Sequence, residues 1–530
     1  MRTIERGGRT YSLPASEAEL RELIRGAHDD GRPLRVRGSG HSFPYGVYDD
    51  GDEENAVRVL LDDYRAIEGY GTDPASGQTT VTVQAGCRLT HAPPAARDGI
   101  GPGDLVRKRC SRPPPGLLEQ LHDEGLALDD LGGISHQTVA GFVATGSAGG
   151  SIQFPLQVLG LRVIDAHGGV RHVRADDADP ELFHAAGTSM GLLGVISAVT
   201  FRCTERFFIT GTERIDKVDQ APVDLFGDRS DVPGLERFLR ETQYTRLLWW
   251  PQPGVDKLTT WQARRLKPAD FEANPKKYGT PDRFRRRPYA EVGLRYCNIL
   301  RPGRPVLGWL RRRFHRRSSR IEQRIAGWIY TLLGMEHPTW WQRPFVDLAR
   351  KYQTELVNFF TQEEAPQEFW DTWWQGLPMD DEMSDRLMPT WFTELWVPLD
   401  EATAVMRALR ELYDDMSLRE MGPFCVELYA GASAPFWLHP SGGRDTLRVD
   451  VFWFGKNQGD PRAFYRRFWE ALARFGYRPH WGKYAPILER TELDALYPKL
   501  HRFRELCRER DPKGVFRSPY WDTHLHLNAS

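Results

Sequence analysis

Two glycine-rich segments carry the first chemical signal in this chain. Leu34-Arg35-Val36-Arg37 reads as a short strand and runs into Gly38-Ser39-Gly40-His41-Ser42. A strand that ends in such a turn presents backbone N–H groups able to cradle a pyrophosphate. Position 43 is Phe, so this is not the G-x-G-x-x-G dinucleotide fingerprint, and no Gly-Lys-Ser/Thr follows to make a nucleoside-triphosphate loop. About 100 residues on, Thr138, Gly141, Thr145, Gly146, Ser147, Gly149 and Gly150 supply small side chains and hydroxyl donors over a short span. Two such loops without a Rossmann fingerprint point to a dinucleotide held by another fold. A third pattern lies in Leu447-Arg448-Val449-Asp450-Val451-Phe452-Trp453, where period-2 alternation puts Arg448 and Asp450 on one face of a strand.

These segments must be positioned by ordinary globular elements. Ser16 and Glu19 have capping-box spacing ahead of Leu20, Leu23, Ile24 and Ala27, which predicts a first helix ending near residues 29–31. Val57–Leu61 and Thr79–Gln84 read as strands. Leu161–Asp165 and Val170–Val173 flank His167-Gly168-Gly169 and read as a hairpin. Gly187 to Ile196 reads as a small-residue helix end entering a buried strand. Residues 88–116, with Pro113-Pro114-Pro115, read as a loop insertion of surface decoration or an active-site cover.

The chain has 530 residues, 40% of them hydrophobic and 27% charged, which suits about two to four domains of a globular protein. A net charge of −1 excludes a globally basic nucleic-acid binder. Six scattered cysteines without a CxxC pair argue against a zinc ribbon and a dense disulfide framework, and no metal site is expected. The first residues lack the apolar core of a signal peptide, and no uncharged apolar run is long enough to span a bilayer. The expected location is cytoplasmic, with membrane association open. The opening lies in residues 301–335, where Arg313, Arg317, Arg320 and Arg324 fall at helical spacing beside Ile321, Ile325, Trp328 and Leu332. Such a basic amphipathic segment can lie on an anionic membrane, or can pack within the protein against the acidic stretch from Glu363 to Asp385.

Ordered motifs at both ends of the chain resemble the vanillyl-alcohol-oxidase superfamily of flavoproteins. Val36 to Phe43 is similar to the family's first FAD loop, Gln137 to Gly149 to its second, and Gly194-Val195-Ile196 to the strand beside the adenine half. Trp396-Val397-Pro398 resembles a cap-domain segment. Arg478-Pro479-His480-Trp481-Gly482-Lys483 resembles the H-W-x-K signature of the sugar-lactone oxidases and alditol oxidases. Tyr497-Pro498 and Asp511 to Phe516 resemble the C-terminal closing pattern. The resemblance covers about residues 10–205 and 390–525.

The resemblance implies FAD as cofactor, bound by Arg37, Gly38, Ser39, Gly40, His41, Ser42, Thr138, Gly141, Thr145, Gly146, Ser147, Gly149, Val195 and Ile196. It makes His41 the residue that would tether the flavin covalently, or else pack against it. It places Lys483 in the active site as the cation for developing negative charge, with Glu427 orienting the substrate or acting as base. His480 is either catalytic or a hydrogen-bonded structural residue. Three positions depart from the family pattern. Tyr429 stands where Arg follows the Glu, Asp450 where alditol oxidases carry a His, and Ala148 where the second loop usually has His. Arg448 and Asp450 either rebuild a charged pocket with Glu427 and Lys483 or pair with each other.

The expected fold is α+β. An FAD-binding lobe of the PCMH type (1–205) and an antiparallel-sheet cap (206–485) are followed by a tail (486–530) that returns to the FAD lobe. The expected function is oxidation of a CH–OH group to a carbonyl by hydride transfer to FAD. The substrate would be a sugar lactone or related alcohol, with dioxygen or an electron carrier as partner. Loss of the Arg and His relaxes recognition of a polyhydroxylated substrate, so a bulkier, lipid-like alcohol at a membrane surface is the alternative. A flavoprotein-derived scaffold with little turnover is a third.

Overall fold

The computed structural model describes residues 1–6, 9–47, 55–90, 115–155, 157–279, 281–282, 339–345, 357, 361, 366–377, 390–416, 418–422, 424–454 and 460–528. The segment 301–335, most of the proline-rich 88–116 and most of the acids between Glu363 and Asp385 lie outside them.

Among the described residues, three large sheets and one two-stranded pair build the fold. The first contains β1 (Arg2–Arg6), β2 (Arg9–Leu13), β3 (Leu34–Arg37) and β4 (Val57–Leu60) in the order β1-β2-β4-β3. The β1–β2 pair is antiparallel and the other pairs are parallel. The parallel crossover is made by helix α1 (Glu17–Asp29), which follows the predicted cap. Ser16 accepts from Glu19 N at 3.3 Å, and Glu19 in turn accepts from Ala15 N rather than Ser16 N. Leu20, Ile24 and Ala27 are buried against Leu34 and Val59. Sequence reading passed over both β1 and β2, whose short polar runs carry little periodicity.

The second sheet is antiparallel, in the order β5-β6-β10-β8-β9, where β5 is Ile67–Thr72, β6 Thr79–Gln84, β8 Val158–Ile164, β9 Val170–Arg174 and β10 Val195–Arg202. The expected hairpin is β8–β9, with Ile164 opposite Val170. A small pair, β7 (Leu126–Ala127) with β11 (Thr204–Glu205), leads toward the third sheet.

That sheet has eight described strands, all antiparallel, in the order β15-β12-β14-β13-β17-β18-β16-β19. They are β12 (Phe208–Lys217), β13 (Tyr244–Trp250), β14 (Lys257–Arg265), β15 (Gln367–Thr372), β16 (Thr390–Pro398), β17 (Val426–Gly431), β18 (Thr446–Phe454) and β19 (Arg478–Pro479). One face packs on helices Ala402–Asp414 and Pro461–Leu472 through Leu395, Val397, Val449, Val451 and Leu409. Several tryptophans of this half are core: Trp249, Trp261, Trp396 and Trp453 are almost wholly buried. Period 2 sends the alternate residues, Glu394, Glu427, Arg448 and Asp450, to the opposite face, toward the glycine loops.

Among the described residues no helix is long and apolar enough to cross a membrane. Cys87 and Cys507 are buried thiols, and burial pushes Cys87 up to about 12, which leaves it inert as a nucleophile.

Candidate active site

The first glycine loop leaves β3 and meets the second at a close approach. A side chain at Gly38 would lie 2.4 Å from Thr138 Oγ1, so only glycine fits. Gly40 has φ +81, a left-handed conformation that glycine adopts without strain. Ser39 Oγ donates to His136 O at 2.6 Å, and Thr138 caps its helix by accepting from Gly141 N.

Between these loops and β10 runs a cleft. Gly38, Ser39, Gly40, His41, Ser42, Thr138, Gly141, Thr145, Val195 and Ile196 line it. The C-terminal segment closes it with Phe516, Ser518 and Trp521. Asp511 shapes that segment by accepting from Val515 N and Phe516 N. The small-residue walls and the serine and threonine hydroxyls fit a dinucleotide.

Arg37, Gly146 and Gly149 do not line this cleft. Arg37 packs under the first loop, where a Cβ on Gly40 would meet its guanidinium. Gly146 abuts Pro440 and His439 of the cap side. Gly149 is small because of Asp130, whose carboxylate lies 2.0 Å from where its Cβ would be. Asp130 accepts from Leu131 N and Ser151 N, both at 2.9 Å, and its burial pushes its carboxyl up to about 7. Gly149→Ala should therefore displace the second loop. The expected cost is about 1–3 kcal/mol of stability, with weakened flavin retention, measured by thermal unfolding and by the absorbance ratio at 450 and 280 nm.

The cleft opens into a second chamber, and His41, Ser42, Gln137 and Thr145 line both. Ser147 lines only the chamber. Its far wall is the charged face of the third sheet. Cross-strand register puts Asp450 opposite Glu427 on one side and opposite Glu394 on the other, a row of three carboxylates. The next row on this face sets Arg448 between Tyr429 and Trp396. Arg448 and Asp450 do not pair with each other. Arg448 Nε donates to Glu394 Oε1 at 2.8 Å, and its Nη1 donates to the carbonyls of Ala148 (2.7 Å) and Gly149 (2.8 Å). Lys483 Nζ pairs with Glu394 Oε2 at 2.7 Å and donates to Asp450 Oδ2. Glu427 Oε1 accepts from Arg246 Nε at 2.5 Å and from the Tyr429 hydroxyl at 2.6 Å.

The charge states follow from these contacts. Burial raises the Asp450 carboxyl well above the ordinary range; Lys483 opposes this, and Glu394 and Glu427 add to it. Burial would also raise Glu394, but Arg448 and then Lys483 reverse it and hold that carboxyl well below the ordinary range. Lys483 gains proton affinity from Asp450 and Glu394 against the cost of burial. Burial pushes the His480 imidazole down to about 4, so it is neutral at physiological pH. Its Nδ1 accepts from Gly482 N at 3.0 Å, which assigns the proton to Nε2, 3.4 Å from Ser147 Oγ. His480 thereby ties the turn that presents Lys483 to the second glycine loop.

All five proposed catalytic side chains line this chamber. Sequence reading passed over Glu394 and Arg246, although each is a lone charge in an otherwise apolar or aromatic strand, Phe392-Thr393-Glu394-Leu395-Trp396 and Thr245-Arg246-Leu247-Leu248. That signal was available without the structure.

Similarity to known proteins runs along nearly the whole chain. Residues 9–103 match the FAD binding domain family, and residues 345–524 match the D-arabinono-1,4-lactone oxidase family. L-gulonolactone oxidase of Mus musculus is 22% identical over 518 residues, 96% of this chain and 93% of its own length. The long-chain alcohol oxidase of an uncultured marine euryarchaeote is 26% identical over 540 residues, covering 97% and 93%. D-arabinono-1,4-lactone oxidase of Yarrowia lipolytica is 27% identical over 273 residues, 51% of this chain and 44% of that one. Among solved structures, a cholesterol oxidase from B. sterolicum superposes with a TM-score of 0.62 over 97% of this chain and 94% of its own, at 15% identity. The α+β, PCMH-type fold with an antiparallel-sheet domain and FAD as cofactor are thus established.

Proposed function

We infer, for a chain that joins an FAD binding domain to a D-arabinono-1,4-lactone oxidase domain and is on that ground an FAD-dependent oxidoreductase, that it oxidises a CH–OH group to a carbonyl within the charged chamber. The observation that carries this reading is the junction at His41, Ser42, Gln137 and Thr145, where the dinucleotide cleft meets a chamber holding a partly buried cation, Lys483. We propose lobes of 1–205 and 206–485, with 486–530 returning to the first.

Bound FAD supplies the hydride acceptor. The chain's residues do the rest. Gly38, Ser39, Gly40, Ser42, Thr138, Gly141 and Thr145 hold the cofactor along the cleft beside Val195 and Ile196, with Ser147 at its chamber end. Lys483 places positive charge where negative charge develops, and low local dielectric strengthens its effect. Glu427, steadied by Arg246 and Tyr429, orients the substrate hydroxyl. Arg448 and His480 position Glu394, the second loop and Lys483. Dioxygen or an electron carrier takes up the electrons.

A sugar lactone is the first substrate reading. A bulkier, lipid-like alcohol is the second, and specific observations favour it. Phe392, Tyr429 and Phe452 line the chamber, and the ring of Phe43 contacts Tyr45, Trp391 and Tyr484 beside it. The full-length similarity to a long-chain alcohol oxidase points the same way. With it goes membrane contact through residues 301–335, tested by sedimentation with anionic liposomes at two salt concentrations, where binding should fall as salt rises.

The flavin reading is tested by the visible spectrum before and after acid precipitation. With His41 as covalent tether, flavin stays in the wild-type pellet and moves to the supernatant in His41→Ala. Yellow supernatant from the wild type removes the tether and leaves FAD. A colourless protein that takes up no added FAD overturns the function.

A further inference from the structure

We propose that Asp450 is the catalytic base that accepts the substrate hydroxyl proton, through its Oδ1 atom. This rests on the alcohol-oxidation reading above. The three carboxylates of the chamber row are not equivalent. Glu394 has each oxygen engaged by a cation, Oε1 by Arg448 and Oε2 by Lys483. Glu427 is paired with the permanent charge of Arg246, and the same oxygen accepts from Tyr429. Asp450 is 3% exposed, lines the chamber, and has only Oδ2 on Lys483. Its Oδ1 is buried with no hydrogen-bond partner among the described residues. A buried carboxylate oxygen without a donor is costly and is stabilised by a hydroxyl that enters the chamber.

The environment tunes the group for the task. Glu427 faces it from β17, Glu394 from β16, Lys483 and His480 from the turn after β19, Arg448 from its own strand, and Tyr465 from the helix behind. Burial and the two flanking acids raise its proton affinity, the direction that strengthens a base, while Lys483 favours the anion. In the step, the C–H bond breaks and its electron pair leaves as hydride, for which FAD, when bound, would be the two-electron oxidant. The O–H bond breaks and its proton goes to Asp450 Oδ1. The carbonyl forms, and protonated Asp450 later releases its proton to solvent. Dioxygen, or a carrier, reoxidises the cofactor.

The test is anaerobic stopped-flow flavin bleaching with L-gulono-1,4-lactone and with 1-dodecanol across pH, for wild type, Asp450→Asn and Asp450→Glu. Infrared difference spectra of each protein without substrate are taken through the same pH range. Wild type should show an acid limb above the ordinary carboxylic range. Asp450→Asn should lose that limb and about 10²–10⁴-fold in bleaching rate. It should also lose a protonated-carboxyl band that titrates with the wild-type limb. If Asp450→Asn does not fold, Asp450→Glu decides, since a true base shifts the limb and a bystander leaves it in place. Asp450→Asn bleaching within about threefold of wild type, with the limb intact, overturns the base and leaves the oxidoreductase standing. Wild type that bleaches with neither alcohol overturns both.

Discussion

Lys483→Met is expected to lower the rate of flavin reduction by about 10²–10³-fold, the range for removing one preorganised charge from a water-poor site. Lys483 Nζ is the cation that bridges Glu394 and Asp450 across the chamber floor. Methionine keeps the length of the stem and removes the charge, so the loss is electrostatic. A second signature separates this from a packing defect. Without the ammonium, Asp450 faces Glu394 and Glu427 unopposed, its proton affinity rises further, and the acid limb of the pH profile moves to higher pH. Flavin content should stay at the wild-type level, because Lys483 lies in the chamber and not along the dinucleotide cleft. Unchanged rate and unchanged limb in a flavin-loaded variant would remove Lys483 from the chemistry.

Glu394→Gln is expected to be the most destabilising single change in the chamber, by about 3–5 kcal/mol, because it leaves buried cations uncompensated. Glu394 has no solvent exposure of its side chain, and Arg448 is buried beside it. The pH dependence has a definite sign. The folded carboxyl lies well below its unfolded value, so its stabilisation is complete above the ordinary carboxylate range and is lost only as pH falls toward the folded value. Urea unfolding of wild type and variant should therefore differ most at neutral pH and converge in strong acid. A difference that is small at neutral pH would mean that water or another group compensates Arg448 and Lys483.

Much of the fold was legible because it rests on local signals. The α1 cap, the β8–β9 hairpin and the two glycine loops each follow from residues within a few positions of one another. The alternation in β18 placed Arg448 and Asp450 on one face, and that is their position. Their partners were not legible, because pairing depends on register between strands separated by loops. Arg448 reaches a glutamate 54 positions away, and nothing local to either residue sets that distance. The glycines show the same limit. Gly38 is glycine for Thr138 and Gly149 for Asp130, so one composition signal covers two unrelated constraints, and only the first concerns the cleft.

The grip of Arg448 on the second loop has an evolutionary consequence. Its guanidinium holds the carbonyls of residues 148 and 149, which every amino acid presents alike. Position 148 is Ala here, so the docking of loop to sheet tolerates drift at that side chain. The chamber wall can thus explore new specificities one substitution at a time while loop and sheet stay joined. Gly149 and Arg448 themselves are barred from that drift.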